Sequence, residues 1–192
     1  MTEGLEIVRT VESPEWEGAC ELLLGEVEYE AGALPSAQEH FARSLAICRD
    51  GADKRGEANA TWRLGTVDVA SGDYASARAR LSEALQAFRN AEMWKELLGC
   101  LEEFAGLAQH AGRLGEAVGI AAASTVARQR LALVRHPNAE ARWQRRLDVL
   151  RDAQGEQGFV AAWNLAWDQW ETDDAIRVAL ALPEVPESAS AQ

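Results

Sequence analysis

The sequence lacks the signals that mark secreted, membrane-spanning and metal-binding chains. No apolar run approaches the roughly 18 residues of a membrane-spanning helix, and the first ten residues have neither the basic nor the apolar region of a signal peptide. The cysteines, Cys20, Cys48 and Cys100, are odd in number and form no C-x-x-C pair, while the histidines are scattered. These absences predict a cytoplasmic chain with buried, unpaired cysteines and with neither a metal nor a cofactor.

Positive charge is also scarce, because 31 acidic residues face only 19 lysines and arginines and leave a net charge of −12. Nucleic acids and anionic membranes are bound through Lys and Arg, so we expect this chain to bind neither directly. One stretch reverses the balance, since seven arginines and two acids lie between Arg128 and Arg151. This stretch is either a solvated face that offsets the acidic ends or a secondary basic patch for an acidic partner, formed by Arg142, Arg145 and Arg146.

Catalytic patterns are missing as well. Gly51 and Gly56 have the spacing of a phosphate-binding loop, but Glu57 and Ala58 follow where Lys and Ser or Thr would hold phosphate and Mg²⁺. No Ser or Cys stands in a nucleophile-elbow pattern. The sequence therefore predicts that the chain is not an enzyme.

What the sequence does contain is a register of small residues that recurs every forty positions. Three sets share it: Gly25, Gly65 and Ala105; Gly32, Gly72 and Gly112; and Ala37, Ala77 and Ala117. The first and third sets would let two antiparallel helices approach closely, and the second would end the first helix of each pair at positive φ. The pattern predicts an all-α chain of repeated helix pairs.

This register resembles tetratricopeptide repeats, with units at about 14–49, 54–89 and 92–133. The resemblance implies a right-handed superhelical solenoid of antiparallel helix pairs, which we expect to form a single domain over residues 1–182. Capping helices are predicted at 138–182, where Thr172 is the expected N-cap of the last helix.

Both ends of the chain carry further predictions. Leu5, Val8 and Val11 have helical spacing, which predicts a helix over residues 2–12, and Ser13 is the expected N-cap of the first repeat. The tail at 183–192 has no periodicity and should be disordered. Near the C-terminus an aromatic stripe either closes the end of the solenoid or mediates self-association; it consists of Phe159, Trp163, Trp167 and Trp170.

Residues 101–182 are similar, in the order and spacing of their helices, to the C-terminal end of the helical-repeat arm of bacterial LuxR-type and STAND-class transcriptional regulators. That resemblance implies a regulatory arm that senses a ligand or a partner. The alternatives are a stand-alone adaptor or peptide receptor, and a self-associating assembly component that forms a homodimer.

A partner-binding groove is expected along the first helix of each pair, with a protein or a peptide as the partner. Its predicted residues are Leu22, Glu26, Tyr29, Glu30, Asn59, Trp62, Thr66, Val69, Glu102, Gln109 and His110. Tyr29 and Trp62 are the expected anchors, because rigid aromatic side chains bury much area at little entropic cost. The alternative for Trp62 is packing between repeats.

Overall fold

The computed structural model describes residues 14–183, and within them every element of regular secondary structure is an α-helix. This confirms the predicted all-α fold of consecutively packed helix pairs. The helix predicted at 2–12, the N-cap predicted at Ser13 and the tail beyond Pro183 lie outside the described residues. The chain divides into two compact units, Met1–Glu92 and Met93–Gln192. The single domain expected over residues 1–182 stays a prediction.

Unit 1 contains four helices in two pairs, and neighbouring helices pack in sequence order. They are α1 (Pro14–Glu30), α2 (Leu34–Asp50), α3 (Lys54–Ser71) and α4 (Tyr74–Asn90). The first pair also has a polar contact at its centre, where Nδ1 of His40 lies 2.7 Å from Oε2 of the buried Glu21. Short connections of two or three residues force each pair to fold back on itself.

The small residues act in unit 1 as the register predicts. A Cβ at Gly25 would lie 2.5 Å from the Phe41 ring, and one at Gly65 would lie 3.0 Å from Leu81. Both large side chains are fully buried, so each glycine makes room for the side chain that fills its helix pair. Gly72 ends α3 with φ 80°, the left-handed conformation expected of a helix-terminating glycine.

Unit 2 contains five helices arranged around α6. They are α5 (Trp94–His110), α6 (Leu114–Arg130), α7 (Pro137–Gln154), α8 (Glu156–Gln169) and α9 (Thr172–Ala181). All four other helices contact α6, which is buried along most of its length and rich in alanine. Gly119 on α6 lets the Trp170 ring lie against the helix backbone, since a Cβ there would be 2.6 Å from the indole. The small side chains of this helix therefore allow α8 and α9 to pack on it.

The last helix begins differently from the prediction. Glu171, not Thr172, is the N-cap of α9, and it forms a reciprocal capping box with Asp174. The pattern was misassigned because Thr is normally the better cap, whereas here the carboxylate of Asp174 accepts the Glu171 backbone N–H at 3.0 Å.

Asp73 caps α4 through a hydrogen bond from the Ser76 backbone N–H at 3.1 Å. We expect Asp73→Ala to lower the free energy of unfolding by about 0.5–1 kcal/mol, while Asp73→Asn, which retains a capping oxygen, should lose less than half of that.

Hydrogen bonds from Ser76 lower the pKa of Asp73. The stabilisation from its charge is therefore present above the ordinary carboxyl pKa of about 4 and is lost as the pH falls through the lowered pKa. Urea unfolding of the three proteins at several pH values measures both effects. An Asp73→Asn loss equal to that of Asp73→Ala would contradict the capping role.

Candidate functional site

The predicted groove residues of unit 1 are divided between its core and its surface. Leu22 and Tyr29 are half-buried and pack against a core cluster that includes Phe41 and Leu64. Glu30 is exposed at the end of α1. The two side chains on the core cluster therefore contribute to the stability of the unit, and a substitution there would test folding and binding together.

Trp62 contacts aromatic and charged side chains of its own helix pair. Its ring meets Phe88 edge-on, with centroids 5.8 Å apart, and the Arg63 guanidinium stacks over it at 4.2 Å. Arg63 in turn forms an ion pair with Glu26 and so joins α3 to α1. The indole Nε1 is buried without a hydrogen-bond partner. Trp62 thus packs within its own helix pair and remains half-exposed on the other side.

The other predicted residues on α3 make local contacts. Asn59 donates to the carbonyl of Arg55 at 3.1 Å, and Thr66, which is buried, donates to the carbonyl of Trp62 at 3.1 Å. Val69 is half-buried near the C-terminus of the helix. Among these, Asn59 presents a polar side chain at the surface.

An exposed apolar stripe on α1 was missed by the sequence prediction. Trp16, Leu23 and Val27 are 65%, 56% and 45% exposed, at positions i, i+7 and i+11 of one helix face. The signal that could have identified them is the position of Gly25, because the three side chains lie on the side of α1 opposite that glycine. We call the exposed sides of α1 and α3 the first-helix surface, defined by Trp16, Leu23, Val27, Asn59 and Trp62.

In unit 2, the predicted groove residue Glu102 lies inside an ion cluster. One of its carboxylate oxygens accepts from Nε of Arg128 at 2.6 Å and from Nη2 of Arg135 at 2.9 Å. Arg135 also contacts Glu140 at 3.1 Å and stacks over Trp143 at 4.8 Å. All three side chains of the central triad are at most 11% exposed. The cluster ties α5, α6 and the connection to α7 together.

The remaining predicted residues of unit 2 lie at the end of α5 and along α7. Gln109 is half-buried, and His110 reaches the surface at the helix end, where partial burial of the ring and the nearby Arg146 lower the pKa of His110. Arg146 donates to the backbone carbonyl of Glu102 and to the Glu103 carboxylate at 3.0 Å. Arg142 is half-buried and Arg145 exposed. The arginine-rich stretch therefore directs part of its charge toward carboxylates of the same unit.

The aromatic stripe is partly core and partly surface. Phe159 is buried, Trp163 is half-buried and Trp167 is 37% exposed. The rings follow one another, with centroids 5.5 Å apart between Phe159 and Trp163 and 6.1 Å apart between Trp163 and Trp167. Phe159 thus belongs to the core of unit 2, whereas Trp167 lies at its surface.

The described residues contain few groups suited to chemistry. Cys48 and Cys100 are buried and form no disulfide, and burial raises the pKa of both thiols, which disfavours the reactive thiolate. Within residues 14–183 no cluster of three or more His, Cys, Asp and Glu is placed to hold a metal ion. In the same part of the chain, each helix is too short or too polar to cross a membrane.

Comparisons with known proteins identify one region of similarity. Residues 16–90 match the family model of the tetratricopeptide repeat, and this range spans the four helices of unit 1. No curated protein and no solved structure matches the chain. Tetratricopeptide repeats are typically non-catalytic modules for protein–protein interaction. Residues 16–90 are thus similar to tetratricopeptide repeats both in sequence and in the packing of their helix pairs.

Proposed function

We propose that the chain is a non-catalytic module that binds a protein or peptide partner on the first-helix surface. The observation that carries this proposal is the exposed apolar stripe of Trp16, Leu23 and Val27 within the segment similar to tetratricopeptide repeats. Exposed apolar side chains aligned on one face of a rigid helix are typical of interaction sites. Asn59 and the exposed side of Trp62 add polar and aromatic contacts on α3.

The charge around this stripe favours a partner with basic residues. The α1 segment PEWEGACELLLGEVEYE contains six glutamates and neither Lys nor Arg, and of these Glu21 is buried against His40. Glu26 pairs with Arg63, so one guanidinium already binds a carboxylate of this helix. A segment that combines apolar anchors with Lys or Arg would complement both properties.

The finer proposal is that the chain is the regulatory arm of a bacterial LuxR/STAND-type transcriptional regulator or a derivative of one. Its support is the resemblance of residues 101–182 to the end of such arms. The proposal requires that the partner carry, or be linked to, a nucleotide-binding or DNA-binding module. A partner without either would favour the stand-alone adaptor.

A pair of matched substitutions tests the binding surface. Leu23→Asp and Leu165→Asp introduce the same charge at leucines that are 56% and 54% exposed, one on α1 and one on α8. A partner is first captured from host lysate and identified, and its affinity for each purified protein is then measured by calorimetry. We expect Leu23→Asp to weaken binding at least about tenfold and Leu165→Asp to leave it unchanged. Equal affinities for both variants would contradict the proposed surface, provided that circular dichroism shows both to be folded.

Self-association is the second candidate, favoured by the surface position of Trp167. Its indole extends the aromatic stripe beyond the buried part of α8. If the stripe is a homodimer interface, Trp167→Glu should convert dimers to monomers in multi-angle light scattering without loss of helical signal. Trp16→Glu, at an indole that is also exposed, is the control and should not change the mass. A wild-type protein that is monomeric at about 0.1 mM would rule this candidate out for interfaces of ordinary affinity.

A further inference from the structure

A pocket of about 210 Å³ lies in unit 2, between the start of α5, the last two turns of α6 and the connection from α8 to α9. Its lining includes the side chains of Trp94 and Trp170 together with those of Ala123, Val126 and Ala127. None of the residues that line it belongs to the first-helix surface or to the ion cluster of Glu102. Trp170 belongs to the aromatic stripe, but Trp167, the indole on which the self-association candidate depends, does not line the pocket.

The sequence of α6 explains why the pocket exists. Gly119, Ala123 and Ala127 lie one above the other on one face of the helix, at successive four-residue steps. Gly119 admits the Trp170 ring against the backbone, and the two alanines leave the space beside that ring unfilled. Larger apolar residues at these positions would have closed the gap, as side chains do elsewhere in a close-packed interior.

The charges at the rim neutralise each other. Arg130 donates to the Glu171 carboxylate at 2.8 Å, and both side chains are largely exposed. Glu171 is held in addition by the capping box at the start of α9. The interior of the pocket is therefore apolar, and this ion pair adds no net charge to its rim. A charged ligand would lose hydration on entry without gaining a buried counter-ion.

A lining of two indoles and several aliphatic side chains suits an aromatic ring. Aromatic rings gain from offset or edge-to-face contacts with other rings in addition to the apolar area that they bury. A cavity of about 150 Å³ with an apolar lining is large enough for benzene. The somewhat larger volume here accommodates a bicyclic ring. We propose that this pocket binds a planar, uncharged aromatic group of about that size.

Indole is a suitable probe, with binding to the full chain followed by ligand-observed NMR and by calorimetry. We expect saturable binding with a dissociation constant of about 1 mM or below, as for small ligands of this size. Benzoate should bind at least about tenfold more weakly, because its carboxylate would lose hydration against the apolar lining. No saturation by indole at several times that concentration, or equal binding of benzoate, would overturn the proposal.

Substitutions then assign the binding to this pocket. Ala127→Leu fills the space next to Trp170 and should weaken indole binding at least about tenfold, whereas Ala141→Leu, at an exposed alanine of α7, should not change it. Trp94→Ala removes one indole from the lining of the pocket. Because Trp94 is 42% exposed, this change should weaken binding without unfolding the unit. Indole binding by Ala127→Leu within about twofold of the wild type would place the ligand elsewhere and overturn the assignment.

One further probe distinguishes the possible sources of the ring. A blocked Gly-Trp-Gly peptide that binds about as well as indole identifies a side chain of a protein partner as the natural occupant. If free indole binds and the peptide does not, the occupant is a small molecule. Either result requires the same aromatic recognition by Trp94 and Trp170.

Discussion

Glu102→Gln is expected to lower the free energy of unfolding of the unit that contains it by about 3–5 kcal/mol, one of the two largest losses predicted for a single substitution in this chain. Glu102 is 9% exposed, and its carboxylate accepts from two guanidinium groups, those of Arg128 and Arg135. Glutamine retains the shape and one acceptor oxygen but removes the negative charge, so two cations stay buried against a neutral amide. Arg135 would keep Glu140, whereas Arg128 would lose the carboxylate that it contacts at 2.6 Å.

Glu103→Gln is the matched control for this experiment. Glu103 is adjacent in sequence and pairs with Arg146 at 3.0 Å, but both side chains are more accessible to water. Its replacement should cost about 1 kcal/mol or less, since an ion pair that reaches solvent contributes little. Urea unfolding followed by circular dichroism compares the midpoints at unchanged slope. A Glu102→Gln loss no larger than that of Glu103→Gln would mean that water solvates the cluster.

Phe41→Ala should produce a loss of similar size in unit 1, about 3–5 kcal/mol, because it removes a fully buried ring from the centre of the first helix pair. Trp16→Ala removes an even larger aromatic side chain from a position that is 65% exposed, and we expect its effect to stay within about 0.5 kcal/mol. The contrast would show that burial, and not aromatic size, determines the loss. Equal losses would indicate that Trp16 is also packed.

A double-mutant cycle with Gly25 isolates the contact between the two helices. Gly25→Ala places a methyl group 2.5 Å from the Phe41 ring, which should cost about 1–3 kcal/mol in the wild type. In the Phe41→Ala background the ring is absent, so the same substitution should be neutral or stabilising through the better helix propensity of alanine. Strict additivity of the two changes would contradict the proposed close approach.

The helix pairs could be predicted from the sequence because their signals are local. Gly25 and Phe41 lie sixteen residues apart, as do Gly65 and Leu81, so a small residue and a large one recur at a fixed spacing and identify the contact. The exposed stripe of Trp16, Leu23 and Val27 could have been predicted from the same helix geometry. The prediction instead placed the groove of the first repeat at residues that include Leu22 and Tyr29, which pack against the core cluster.

The ion cluster could not be predicted in this way. Glu102 occupies a position that the repeat pattern assigns to an accessible groove, and its partner Arg135 lies 33 residues further along, in an irregular connection. No periodic signal joins the two. The sequence of the arginine-rich stretch also does not indicate which of its cations faces inward, because that depends on where α7, which begins at Pro137, packs.

The cluster also constrains how this chain can change over evolutionary time. Glu102 and its guanidinium partners come from helices and a connection up to 33 residues apart, and each depends on a partner that is encoded elsewhere. A lineage that loses the acid at position 102 should therefore lose the basic residues at 128 and 135 as well, or replace all three by apolar side chains of similar volume. Positions 102, 128 and 135 should consequently vary together among homologues, whereas an exposed residue such as Arg145 should vary independently of them.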